Sequence, residues 1–209
     1  MKKPNTYIWL LIIVHAIGVA GLLLPETRNF VQKLTWVNIL LSFIVLMAFH
    51  KKWQKEFVWS ALLITGSGFL IEVIGVKTGY IFGYYQYGQT LGYSVWSVPL
   101  LMGIIWLMSI YITRNIAELI TKEPVLVSLT GALLMLALDY FLEPFAIRYN
   151  LWQWNRGTPP VHNYLGWFIC AFILHYLFLK GCKYPLNKLS VPLYFIQLAF
   201  FITLYLCNK

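Results

Sequence analysis

Long apolar runs separated by short polar stretches dominate the chain. They fall at about 7–24, 34–49, 57–76, 95–113, 125–147, 163–179 and 191–206. Crossing a hydrocarbon core takes roughly 20 helical residues. The pattern therefore predicts an all-α integral membrane protein, a bundle of about seven transmembrane helices forming a single transmembrane domain over 1–209. The second and last runs are short, and loop residues or bilayer thinning would complete them. Pro99, Pro144 and Pro192 lie inside runs. Each is expected to kink or end its helix, because proline removes a backbone donor and clashes one turn back. The opening "MKKPNTYIWLLIIVHAIGVAGLLLPE" resembles a signal peptide in its first half. No small-x-small cleavage site follows, so it reads as the first span.

Composition agrees with that pattern. The chain has 209 residues, 60% hydrophobic and 11% charged, against about a quarter charged in soluble domains. The net charge of +9 is spread between the apolar runs, which points to membrane orientation and away from nucleic-acid binding. Lysines and arginines, among them Lys2, Lys51, Lys52, Arg114 and Lys183, favour the N-terminal side over the side that carries Lys77, Arg148 and Lys209. The N-terminus is expected in the cytoplasm, with the protein in the cell (inner) membrane. In that orientation the ends of the third and fifth spans and the loops after them, 77–94 and 148–162, share the outer face.

Several chemistries have no home here. Cys170, Cys182 and Cys207 are odd in number and scattered, which argues against a disulfide framework or a zinc site. The four histidines, His15, His50, His162 and His175, are isolated, so clustered-histidine diiron oxygenases are excluded. The last span lacks the lysine of a retinal pigment, and no dinucleotide fingerprint appears. Neither a metal nor a cofactor is expected. What remains is cofactor-free chemistry on a lipid-soluble substrate, or binding without chemistry.

The acids narrow the choice. Glu26, Glu56, Glu118 and Glu123 read as solvated loop charges, whereas Glu72, Asp139 and Glu143 fall within spans. An ionisable group at mid-bilayer costs about 2.5–3.5 kcal/mol on insertion scales. In "LALDYFLEPFAIR" (136–148), Asp139 and Glu143 stand one helical turn apart and share a face. They either staple helices through a partner such as Arg148, Lys77, a tyrosine or His162, or they line a polar pocket that holds an acid ready to react.

Two further stretches flank them. "IEVIGVKTGYIFGYYQYGQTLGY" (71–93) spaces Gly75, Gly79 and Gly83 four apart, as a helix-packing strip would. It also carries Tyr80, Tyr84, Tyr85, Tyr87 and Tyr93, which suits a Gly/Tyr-rich interfacial or re-entrant segment near 77–94. "YNLWQWNRGTPPVHNYLGWF" (149–168) places Trp152 and Trp154 beside a polar turn, with His162 and Asn163 opening the next span. Tryptophan at a membrane boundary is most often an anchor.

At "EVIGVKTGYIFGYYQYG" (72–88), "VPLLMGIIWL" (98–107), "LDYFLEPFAI" (138–147) and "NYLGWF" (163–168) the sequence resembles the membrane carotenoid biosynthesis proteins related to bisanhydrobacterioruberin hydratase, the carotenoid ψ-end hydratases. The resemblance covers roughly 60–170, about half the chain. It implies addition of water to the terminal isopropylidene double bond of an acyclic carotenoid, with no redox cofactor. The implied partners are a lipid-soluble carotenoid and the bilayer, with association among other carotenoid enzymes also expected.

The residues suit that chemistry. Hydrating a trisubstituted alkene requires protonation of one carbon to a tertiary cation, then capture by water. Asp139 or Glu143 is the expected acid and Glu72 its partner or base. Tyr80, Tyr85, Trp152 and Trp154 are the aromatic faces for the cation, and His162, Asn163 or a tyrosine hydroxyl the holder of water. Two other readings remain. Membrane-type lycopene cyclases would use the same cation, but typically carry a Pro-x-Glu-Glu motif that is missing here. A carotenoid carrier or proton-linked transporter would use the acids without chemistry, though no inverted repeat supports transport.

Overall fold

The computed structural model describes residues 3–207; Lys2 and Lys209, counted in the charge balance, lie outside that range. Eight helices are present among the described residues: α1 (Pro4–Leu23), α2 (Pro25–Lys33), α3 (Thr35–Ala48), α4 (Lys55–Thr78), α5 (Leu101–Ile120), α6 (Pro124–Arg148), α7 (Val161–Gly181) and α8 (Ser190–Cys207). Strands are confined to short pieces, β1 (Tyr85–Tyr87), β2 (Ser94–Val95), β3 (Val98–Pro99) and β4 (Trp152–Trp154). The expected all-α membrane bundle is what forms. Six helices are long and apolar enough to cross a membrane, and the bent pair α2–α3 brings the number to as many as seven.

The departures have local causes. The second apolar run, 34–49, forms α3 alone; the residues before it form a separate short helix, α2, which meets α3 at 54°. Of the two, α2 is polar and without a buried residue, while α3 is apolar. The fourth apolar run becomes helical, as α5, at Leu101 rather than 95, since Val98–Pro99 pairs back on Ser94–Val95 in a tight hairpin. The Gly75–Gly79–Gly83 strip is helical only at Gly75: α4 stops at Thr78 and Gly79 caps it with a φ of 68°. Gly83, at φ 105°, turns the chain again. Glycine reaches both conformations without the steric penalty of a Cβ.

Prolines follow position. Pro192 sits in the first turn of α8, where its missing N–H would have no partner anyway. Pro144 neither ends nor replaces α6, which continues to Arg148 and is tied off by Tyr149 N–H to Phe145 O and Leu151 N–H to Ala146 O.

Arg114 and Glu118 are not loop charges. Both lie on α5, where Arg114 is buried, pairs with Glu118 at 3.1 Å and stacks over the Tyr184 ring at 4.3 Å. A guanidinium is tolerated there because its donors also reach the Cys182 carbonyl at 3.1 Å. Arg114 is thus a buried packing residue of α5 and not one of the loop charges that bias orientation.

At the opposite end, the loops after α4 and α6 meet, as the sequence suggests. Strands β1 and β4 pair antiparallel, with Tyr85 opposite Trp154 and Tyr87 opposite Trp152.

Candidate active site

Side chains two apart on a strand point the same way. In Tyr85-Gln86-Tyr87 and Trp152-Gln153-Trp154 this puts four aromatics on one face of the ribbon, toward α4 and α6. Burial follows the alternation: Trp152 and Trp154 are buried and Gln153 is exposed.

Each strand holds one acid. On β1, the hydroxyls of Tyr85 and Tyr87 donate to Glu72 Oε2 at 2.5 and 2.7 Å. On β4, the indoles of Trp152 and Trp154 donate to Glu143 Oε2 at 3.1 and 2.8 Å. The other oxygens are also engaged. Trp106 Nε1 donates to Glu72 Oε1 at 2.8 Å, and Asn163 Nδ2 to Glu143 Oε1 at 3.2 Å. Indoles can only donate, so Glu143 acts toward the two tryptophans as an acceptor. Burial and the neighbouring Glu72 carboxyl push the Tyr85 and Tyr87 hydroxyls well above the usual phenol range.

Trp106 reaches Glu72 because α4 is thin beside it. A Cβ at Gly68 would lie 2.5 Å from the Trp106 side chain. Glu72 is one turn beyond Gly68 on the same face. The Trp106 ring then stacks flat on Trp167, with centroids 4.4 Å apart and planes 3° apart.

Asp139 is different. It is 2% exposed, and neither carboxyl oxygen has a hydrogen-bond partner among the described residues. It stands within electrostatic reach of Glu143 and Glu72, but faces a cavity of about 340 Å³. The cavity wall is mostly aliphatic and aromatic, with Trp152, Trp167, Phe145 and Phe200 among its rings. It also includes Ile17, Phe30, Leu34 and Val37, which are exposed on α1, α2, the α2–α3 junction and α3. The cavity thus opens sideways between α1 and α3, where a membrane-embedded helix faces lipid.

The three acids therefore converge, as the sequence suggests, and Trp152 is brought to the cavity. Tyr85, Trp154 and Asn163 are also at the site, but they hold carboxylates rather than line the cavity. Tyr80 and His162 are not brought there: Tyr80 is 86% exposed, and both border a separate surface groove with Gly79 and Cys170. Tyr87, noted in the sequence only as one of five clustered tyrosines, and Trp106 and Trp167 were not among the expected site residues. Trp106 carried a usable signal, since a tryptophan deep in a span needs an acceptor for its N–H.

A model of the family described as carotenoid biosynthesis protein matches residues 34–208. Comparison with curated proteins gives no match, nor does comparison with solved structures.

Proposed function

This chain belongs to the carotenoid biosynthesis protein family, and from that premise we propose that it is a cofactor-independent carotenoid hydratase that adds water to the terminal isopropylidene bond of an acyclic carotenoid. The observation that carries the reading is Asp139: a buried carboxyl with both oxygens unengaged, in the wall of an apolar cavity open toward lipid. A buried polar group without a partner costs about 1–3 kcal/mol. Structural acids avoid that cost, as Glu72 and Glu143 do here.

In this reading the end of the polyene enters between α1 and α3 and lies among Trp152, Trp167 and Phe145. Asp139, as the carboxylic acid, transfers its proton to the alkene CH carbon, leaving a tertiary cation on the dimethyl carbon. Aromatic faces attract such a cation by about 2 kcal/mol or more when desolvated. Glu143 and Glu72, fixed by the ribbon, supply negative potential behind them. Water adds to the cation, and its surplus proton restores the Asp139 acid. The ribbon end faces outward and the N-terminus the cytoplasm, within the cell (inner) membrane.

Expression in a lycopene-producing host tests the reading. Pigment heavier by one water is the expected product. A cyclic isomer of unchanged mass would indicate the cyclase outcome of the same cation, and unchanged pigment would indicate a carrier.

A further inference from the structure

The cavity that receives Asp139 has a second polar wall with no role so far. On α3, Asn38 and Ser42 stand one turn apart and both line the cavity. Ser42 is 1% exposed and its hydroxyl has no partner among the described residues; the Asn38 Oδ1 is likewise buried and unpartnered among them. From α1, His15 lines the same cavity and is almost fully buried. Its Nδ1 lies 2.8 Å from the Leu11 carbonyl. A carbonyl can only accept, so Nδ1 carries the hydrogen there, and in the neutral ring Nε2 is the acceptor.

Depth brings these groups level with the acid. At 1.5 Å rise per residue, Asp139 lies roughly 13 Å below the outer end of α6, His15 roughly 12 Å below that of α1, and Ser42 roughly 10 Å below that of α3. Three helices thus present polar atoms at a common level to one mostly apolar cavity, whose remaining polar residues are Thr35, Ser109 and Gln197. Buried polar atoms in a space large enough for water are ordinarily satisfied by water, which takes two to four polar partners.

We infer that the α1–α3 wall, Asn38, Ser42 and His15, is a water site that supplies the nucleophile to the cation made by Asp139. The inference rests on the hydratase reading, and it moves the water from His162 and Asn163 to the other side of the substrate. Asn38 Oδ1 and Ser42 Oγ hold the water with an oxygen lone pair toward the dimethyl carbon. The C–O bond forms as His15 Nε2 takes one proton of that water, leaving the tertiary alcohol. The imidazolium then returns its proton to the Asp139 carboxylate, so alkene plus water gives alcohol and both side chains are restored. Without held water the uncaptured cation loses a proton back to Asp139, which regenerates an alkene. His15 precedes the family match, which begins at residue 34, whereas Asn38 and Ser42 lie within it.

The test uses membranes containing the full chain, an acyclic carotenoid with isopropylidene ends, and deuterium oxide as solvent. Wild type forms deuterated hydrate. In Ser42→Ala and Asn38→Leu, hydrate falls at least tenfold, while deuterium still enters the recovered hydrocarbon at a rate within about threefold of wild type. Ser42→Thr, which keeps the hydroxyl, retains most hydration. Asn38 is only partly buried, so Asn38→Leu serves if Ser42→Ala fails to accumulate. Hydrate at wild-type proportion in both variants overturns the water site while leaving the hydratase reading intact. Parallel loss of hydrate and deuterium in folded variants also overturns it, since that would be damage to the protonation step. A wild type that never forms hydrate overturns the hydratase reading, and this inference with it.

Discussion

Tyr85 and Trp154 face each other across the β1–β4 ribbon, their rings 5.0 Å apart, and each donates to a different buried carboxylate. The ribbon therefore sets the distance between Glu72 on α4 and Glu143 on α6. A membrane bundle with two acids of like charge needs such a device, because each acid must be supplied with donors where water is scarce.

Tyr85→Phe and Trp154→Phe each remove one donor from a buried acid, so each should lower stability by about 1–3 kcal/mol. Because the two rings touch, the double variant should deviate from additivity by more than about 0.5 kcal/mol. Unfolding midpoints of the four proteins in one detergent check this. Simple addition would show that the ribbon does not couple the acids.

Alkaline pH should loosen the same ribbon. The hydroxyls of Tyr85 and Tyr87 lie well above the model-peptide value of 10.0, from burial and the Glu72 carboxyl. A group with a raised folded-state value contributes stability below its unfolded value, and that contribution is lost as pH rises beyond it. Stability should thus fall above about pH 10, and less steeply in Tyr85→Phe/Tyr87→Phe. Unfolding midpoints from pH 8 to 11 check the slope; equal slopes would contradict it.

Gly68→Ala should push Trp106 off Glu72, since the new Cβ would meet the Trp106 side chain at 2.5 Å. Overpacking of this kind costs typically about 1–3 kcal/mol. Loss of the Glu72 bond should also reduce hydration. A lower midpoint together with reduced product is the expected pair of changes; an unchanged midpoint would show that α4 and α5 separate freely.

Much of this was legible in the sequence. The apolar runs gave the bundle, and spacing put Asp139 and Glu143 on one face of α6 with Glu72 nearby. Less legible was the ribbon. Tyr85-Gln86-Tyr87 and Trp152-Gln153-Trp154 each alternate with period two, but each is too short to signal a strand, and their pairing joins residues far apart in the chain. Read singly, their aromatics looked like interfacial anchors. Tyr80 and His162 misled for a related reason: closeness to the acids along the chain says nothing about which side of a turn faces inward. The cavity was invisible because its wall combines α1, α2, α3, α5, α6, α7 and α8, and its polar residues, His15, Asn38 and Ser42 among them, are common residues at unremarkable spacing.

Asp139 offers the most direct measurement. Asp139→Asn is nearly isosteric and breaks no protein hydrogen bond, since neither oxygen makes one. The variant should accumulate in the membrane and unfold at a midpoint no lower than wild type. Expressed beside wild type in a lycopene-producing host, it should leave the pigment without added water while wild type yields the hydrate. Hydration at the wild-type level by folded Asp139→Asn would contradict the assignment of the proton donor.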